Sequence, residues 1–124
     1  MSTSRTKLLA SLRQLHKKRR LLLRRLTQEQ ELAVGSVSTV RGKCGKPNCR
    51  CAHGEGHPQV VFLFRGDDGK RRCKLIRQND AKRMLLAGDR YRKCREAMKQ
   101  LRAIQKEEEL ILMALIKERA IKYK

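Results

Sequence analysis

Three thiols and two imidazoles fall within fourteen residues, Cys44-Gly45-Lys46-Pro47-Asn48-Cys49-Arg50-Cys51-Ala52-His53-Gly54-Glu55-Gly56-His57. Thiolate and imidazole are the donors Zn²⁺ prefers, four of them at tetrahedral corners about 2.0 to 2.3 Å from the ion. Gly, Pro and Asn between them bend a chain sharply enough to gather them round one metal. The expectation is a structural Zn²⁺ site made by Cys44, Cys49, Cys51 and His57. His57 is preferred to His53 as the fourth donor, because Cys51 and His53 stand only two apart and would crowd one side of the ion. The spacing C-x4-C-x-C-x5-H is not a common finger spacing, so reduced, metal-free thiols in a loop are the alternative.

Catalysis finds little support in these residues. A catalytic zinc keeps an open position beside an acid or base, whereas this cluster can close its own shell with only Glu55 near it in sequence. A Cys nucleophile would need a His that the metal takes. Asp67 and Asp68 are paired carboxylates, but they stand where a turn wants Asp. No catalytic residue is assigned.

The net charge is +20, spread as +7 over residues 1–33, +6 over 34–76 and +7 over 77–124. Such a charge opposes compaction and attracts polyanions. Nucleic acid is the first partner it suggests, ahead of an acidic protein or an anionic membrane. Two Tyr, two Phe and no Trp leave little for base stacking, which favours duplex DNA over single-stranded RNA. An RNA-binding zinc knuckle is the alternative. Arg41, Lys43, Lys46 and Arg50 flank the Cys turn and are candidate phosphate contacts. No recognition-helix motif is visible, so the contacts expected are electrostatic.

These groups need elements to position them. Ser2, Thr3 and Ser4 offer N-caps for a helix over about residues 5–33, closed by Gly35. Leu8, Leu12, Leu15, Arg19, Leu22, Leu26, Glu29 and Ala33 follow at alternating four and three, a heptad seam with two interruptions. Arg13, Lys17, Arg20 and Arg24 form a basic row on the opposite side. Ser36–Val40, Val60–Phe64 and Arg71–Ile76 read as strands, the last two joined by the turn Gly66-Asp67-Asp68-Gly69. Asn79 or Asp80 caps a short helix to Ala87, and Gly88-Asp89 reads as a kink before a long helix to about Ile121. Its seam reads Tyr91, Cys94, Met98, Leu101, Gln105, Glu108, Leu112, Leu115, with Arg92, Arg95, Lys99, Arg102 and Lys106 to one side. Leu110–Ile116 is apolar nearly all round, which asks for more than one partner: a second copy or a larger protein.

Antiparallel pairing of the two long helices, Ala33 opposite Cys94, sets Leu26 with Leu101, Leu22 with Gln105, Leu15 with Leu112 and Leu12 with Leu115. Arg19 then meets Glu108, so the seam interruptions coincide and fix the register. The fold expected is α+β, mostly α: a small zinc-stabilised antiparallel β module (36–77) between a basic amphipathic helix (1–35) and a helical arm (78–124), the helices forming an antiparallel coiled coil. The odd count of five cysteines and the absence of a secretory apolar run suggest a reducing cytosol, with Cys73 and Cys94 as small buried hydrophobes. Residues 1–28 are acid-free and rich in Arg, Leu and Ser like a transit peptide, but the helical pattern continues to Ala33, which argues for the mature chain. No stretch approaches the roughly 20 apolar residues of a membrane span.

The middle of the chain resembles a family of small bacterial proteins carrying an uncharacterised domain, often encoded beside transposase or recombinase genes. Their core runs C-G-K-x-x-C-x-C-x-x-G-x-x-H, then strands around a G-K turn, then a long helix. Cys44, Gly45, Lys46, Cys49, Cys51, Gly54 and His57 match it, followed by Gly69-Lys70, and the likeness covers about residues 35–120. Where many members carry an aromatic pair after the His, this chain has Pro58-Gln59. The resemblance implies a mobile-element setting and supports the metal. Together with the charge it suggests a nucleoid-associated bacterial accessory protein, acting with a transposase or recombinase; the alternative is an adaptor that recruits a recombinase through its helices.

Overall fold

A computed structural model of the chain describes residues 3–42, 45, 46, 48, 54 and 56–124. The order of elements is α1 (Thr3–Leu26), β1 (Ser36–Gly42), β2 (His57–Arg65), β3 (Arg71–Ile76) and α2 (Ala81–Glu118), with a 3₁₀ turn at Gln78–Asp80 leading into α2. The chain is therefore α+β and mostly helical, with one three-stranded antiparallel sheet in the order β1-β2-β3. It divides into two compact units, Met1–Glu29 with Cys94–Lys124, and Gln30–Lys93. Among the described residues no helix is long and apolar enough to cross a membrane.

In the helical unit, Leu15 and Leu22 of α1 are buried with Ala97 and Ile104 of α2, and Leu26, Leu101 and Ile111 pack around them. The α1 seam is the one its spacing predicts, from Leu8 to Leu26. The α2 seam differs at alternate positions. Met98, Gln105 and Leu112 are exposed, and Ala97, Ile104 and Ile111 take their places beside Leu101, Glu108 and Leu115. At 3.6 residues per turn the positions three and four ahead straddle the contact line, so spacing alone leaves the choice open. Ala97 is small enough to admit close approach and is 1% exposed. The expected layers of Leu22 with Gln105 and Leu15 with Leu112 are thereby overturned. The meeting of Arg19 with Glu108 is present.

α1 ends at Leu26, not near Ala33. Thr27 folds back, its N–H and hydroxyl both donating to the Leu23 carbonyl, at 3.0 and 2.8 Å. The chain then runs without helix to Ala33, whose N–H donates to the Ala87 carbonyl at 3.1 Å, so Ala33 meets Ala87 and not Cys94. With α1 ending at Leu26, helical continuity to Ala33 no longer distinguishes the N-terminal segment from a transit peptide. Gly35 lies beside Phe62 at the start of β1 and closes no helix.

In the other unit the register runs from Ser36 opposite Leu63 to Gly42 opposite His57, and from Val60 opposite Ile76 to Arg65 opposite Arg71. Alternation puts Val37, Phe62 and Phe64 on one face, and the two phenyl rings stack with centroids 4.7 Å apart. α2 continues as one α-helix through Gly88, where the sequence suggests a break. A Cβ there would stand 2.8 Å from both Cβ and Cγ2 of Val37. The glycine serves close approach of the strand to the helix, and its helix-breaking tendency, worth about 1 kcal/mol, is outweighed. The β2–β3 turn closes with Gly69 N–H donating to Gly66 O at 2.9 Å, and Asp68 accepts from Lys70 N–H at 3.1 Å and Arg72 at 2.8 Å.

Candidate nucleic-acid interface

Residues 43–56 connect β1 to β2, leaving and re-entering the sheet at the paired positions Gly42 and His57. Two features close this base. Gly56 has φ +84°, and a Cβ on it would lie 2.6 Å from the carbonyl carbon and oxygen of Gly42, so only glycine fits. Arg41 reaches across to donate from Nη1 to Gly56 O at 3.2 Å. His57 is exposed as the first residue of β2, beside that base. Of the expected ligands, Cys44, Cys49 and Cys51, and the alternative His53, lie outside the described residues, as do Lys43 and Arg50. Among the described residues no three His, Cys, Asp or Glu side chains come together. Thiolate and imidazole are donor types that suit Zn²⁺.

Cys73 is exposed and Cys94 is half-buried. The expectation that both are buried fails for Cys73, because β3 is an edge strand with five of its six residues exposed.

The expected basic rows are largely as the spacing sets them. Arg13, Lys17, Arg20 and Arg24 are all exposed on α1, and Arg95, Lys99, Arg102 and Lys106 on α2. Arg92 lies in line with the second row, but its guanidinium donates to Asp89 at 2.5 Å, and Lys93 Nζ lies 3.2 Å from the other oxygen. Hydrogen bonds from Lys93 and then Arg92 hold the Asp89 carboxyl below its ordinary range. Arg92 is thus partly neutralised. Lys46 is exposed on the connection.

Two contacts had no sequence signal, His16 with Glu108 and Arg83 with Glu31, because each joins residues distant along the chain. His16 Nε2 stands 3.2 Å from Glu108 Oε2, while Arg19 takes the other oxygen. Arg83 makes two bonds of 2.7 Å to the Glu31 carboxylate, and these hold that carboxyl below its ordinary range. Beside this pair lies an open groove of about 650 Å³, walled by Leu32, Val34, Phe62, Ile76 and Met84. Lys74, Arg77 and Arg83 also line it, with Glu31 and Asp80, so its walls carry charges of both signs beside the apolar side chains.

Fold and surface define a small α+β protein in which a sheet carries a fourteen-residue connection and two helices carry exposed rows of Arg and Lys, that of α2 bordered by Glu109. The chain belongs to the DUF6788 family, described as a domain of unknown function, whose pattern matches residues 12–85. That span takes in the α1 row, the connection and the whole sheet, and stops in the second turn of α2. No curated protein and no solved structure matches the chain.

Proposed function

We propose that the protein is a zinc-stabilised DNA-binding accessory factor that holds duplex DNA through its phosphates. The observation that carries this is the pair of exposed basic rows, each set away from the buried seam of its own helix. Lys and Arg in such rows displace condensed counterions from DNA, and the binding that results falls steeply with salt. Cys44, Cys49, Cys51 and His57 hold the Zn²⁺, which supplies the β1–β2 connection with a fixed shape and takes no part in chemistry. The seams of α1 and α2 form a short antiparallel coiled coil that spaces the rows. The resemblance of the Cys-rich core to proteins encoded beside transposase and recombinase genes supports a role in a mobile genetic element, assisting such an enzyme in the bacterial cytoplasm.

A second reading is favoured by one observation. Leu110, Met113 and Ile116 of α2 are 61%, 65% and 59% exposed, an apolar surface suited to docking another protein. In that reading the chain is an adaptor and its charge is secondary.

Metal content by mass spectrometry, together with duplex binding across a salt series, tests the proposal. The expected result is one Zn²⁺ per chain and an affinity that drops by orders of magnitude between 50 and 200 mM salt. A chain that keeps its fold and its DNA affinity after a strong chelator removes all metal has no need of the ion, and the zinc reading falls. A chain that binds no duplex at moderate salt but retains a recombinase is an adaptor.

A further inference from the structure

We infer that the helical unit holds two DNA duplexes at once, one against each basic row, and so bridges them; this rests on the reading of the chain as a duplex-DNA binder. The inference comes from where the rows lie relative to the packed seams. At 3.6 residues per turn, Arg13, Lys17, Arg20 and Arg24 centre about 150° round α1 from the Leu8–Leu26 line. Arg95, Lys99, Arg102 and Lys106 centre about 160° round α2 from the line through Ala97, Leu101, Ile104 and Glu108. The seams face each other, through the cluster of Leu15, Leu22, Ala97 and Ile104 and the bonds from Arg19 and His16 to Glu108. The rows therefore point outward on opposite sides of a two-helix slab.

Dimensions decide against one duplex using both. Packed helices lie about 8 to 10 Å apart, and each is about 10 to 12 Å across, so the rows are roughly 20 Å apart. A major groove about 12 Å wide admits one helix and not this slab. Bending 20 to 30 base pairs by 40–90° already costs about 1 to 6 kcal/mol, and reaching the far row needs a reversal within a shorter length. A duplex on one row leaves the other facing solvent, with its four cations unneutralised and available to a second duplex.

Capture of a labelled free duplex by a bead-bound duplex, mediated by the full chain at about 150 mM salt, reads bridging directly. Two variants separate the faces: Arg13, Lys17, Arg20 and Arg24 all to Gln, and Arg95, Lys99, Arg102 and Lys106 all to Gln. Every replaced side chain is exposed and Gln is nearly as good a helix former, so circular dichroism is expected to match the parent. The parent chain captures the second duplex. Each variant still binds a single duplex within about tenfold of the parent but loses capture at least about tenfold. Bridging by either variant at the parent level overturns the inference, since charge condensation or a protein dimer would then suffice. Parent chain that binds one duplex and captures no second overturns it too, with DNA binding intact. Failure to bind any duplex removes the underlying reading instead.

Discussion

Glu108 is 7% exposed and carries both an Arg and a His on its carboxylate. A charge in that position is tolerated only with its partners, because desolvation of an unpaired carboxylate costs several kcal/mol. The pairing is not complete, for Arg19 Nε is buried with no acceptor among the described residues. Arg19→Ala is expected to lower stability by about 2 kcal/mol in urea denaturation, less than the 3 to 5 kcal/mol of a fully buried pair because the Arg side chain is partly exposed. Arg19→Glu destabilises further by setting two carboxylates together, and adding Glu108→Arg recovers most of the loss. Without that recovery the two residues are not the register pin. Glu31 allows a pH test. Its carboxyl titrates below its ordinary range in the folded chain because Arg83 binds it, so the stabilisation is present above the unfolded value of about 4.3 and fades as pH falls through the lower folded one. Glu31→Gln should melt below the parent at pH 7, and the gap should close as the medium is acidified through that range.

Among the elements, Gly88 separates two readings of one residue. By intrinsic propensity Gly88→Ala stabilises an exposed helix by about 1 kcal/mol. Here the new methyl would meet Val37 at 2.8 Å, and the substitution is expected to lower the melting temperature, with Val37→Ala restoring it. A rise on Gly88→Ala alone would show that β1 does not press on α2. This residue also marks how far the fold was legible. The three strands, the Gly-Asp-Asp-Gly turn, the α1 seam and the Arg19–Glu108 meeting follow from period and spacing, since each is a local pattern or the sum of two. The end of α1 at Leu26, the unbroken α2 and the shift from Gln105 to Ile104 do not, because each depends on what another segment brings alongside. Thr27–Ala33 has no strong helix breaker in its sequence, and its non-helical course is held by the Ala33–Ala87 bond and the Glu31–Arg83 pair. Of the candidate site, the basic rows were readable as spacing. The neutralisation of Arg92 by Asp89 followed only from the folded helix, where the two stand three residues apart.

For the whole molecule the question is whether charge acts as a sum or by its placement. A net +20 draws in any polyanion whatever its arrangement, so binding alone does not distinguish them. The slope of log K against log salt does, because it counts the phosphates neutralised in the complex, about 0.9 for each on duplex DNA. Replacing Arg13, Lys17, Arg20 and Arg24 with Gln removes four charges from one row. Replacing Lys117, Arg119, Lys122 and Lys124 removes the same number from the C-terminal end, outside the eight row positions. If placement rules, measured with one short duplex so that each complex uses a single row, removal of the α1 row from a chain already lacking the α2 row should flatten the slope by about 3 to 4. The C-terminal change in that same background should flatten it by less than about 1. Equal flattening by the two sets would mean that the helices merely carry charge, and that the order imposed by their seams has no part in holding DNA.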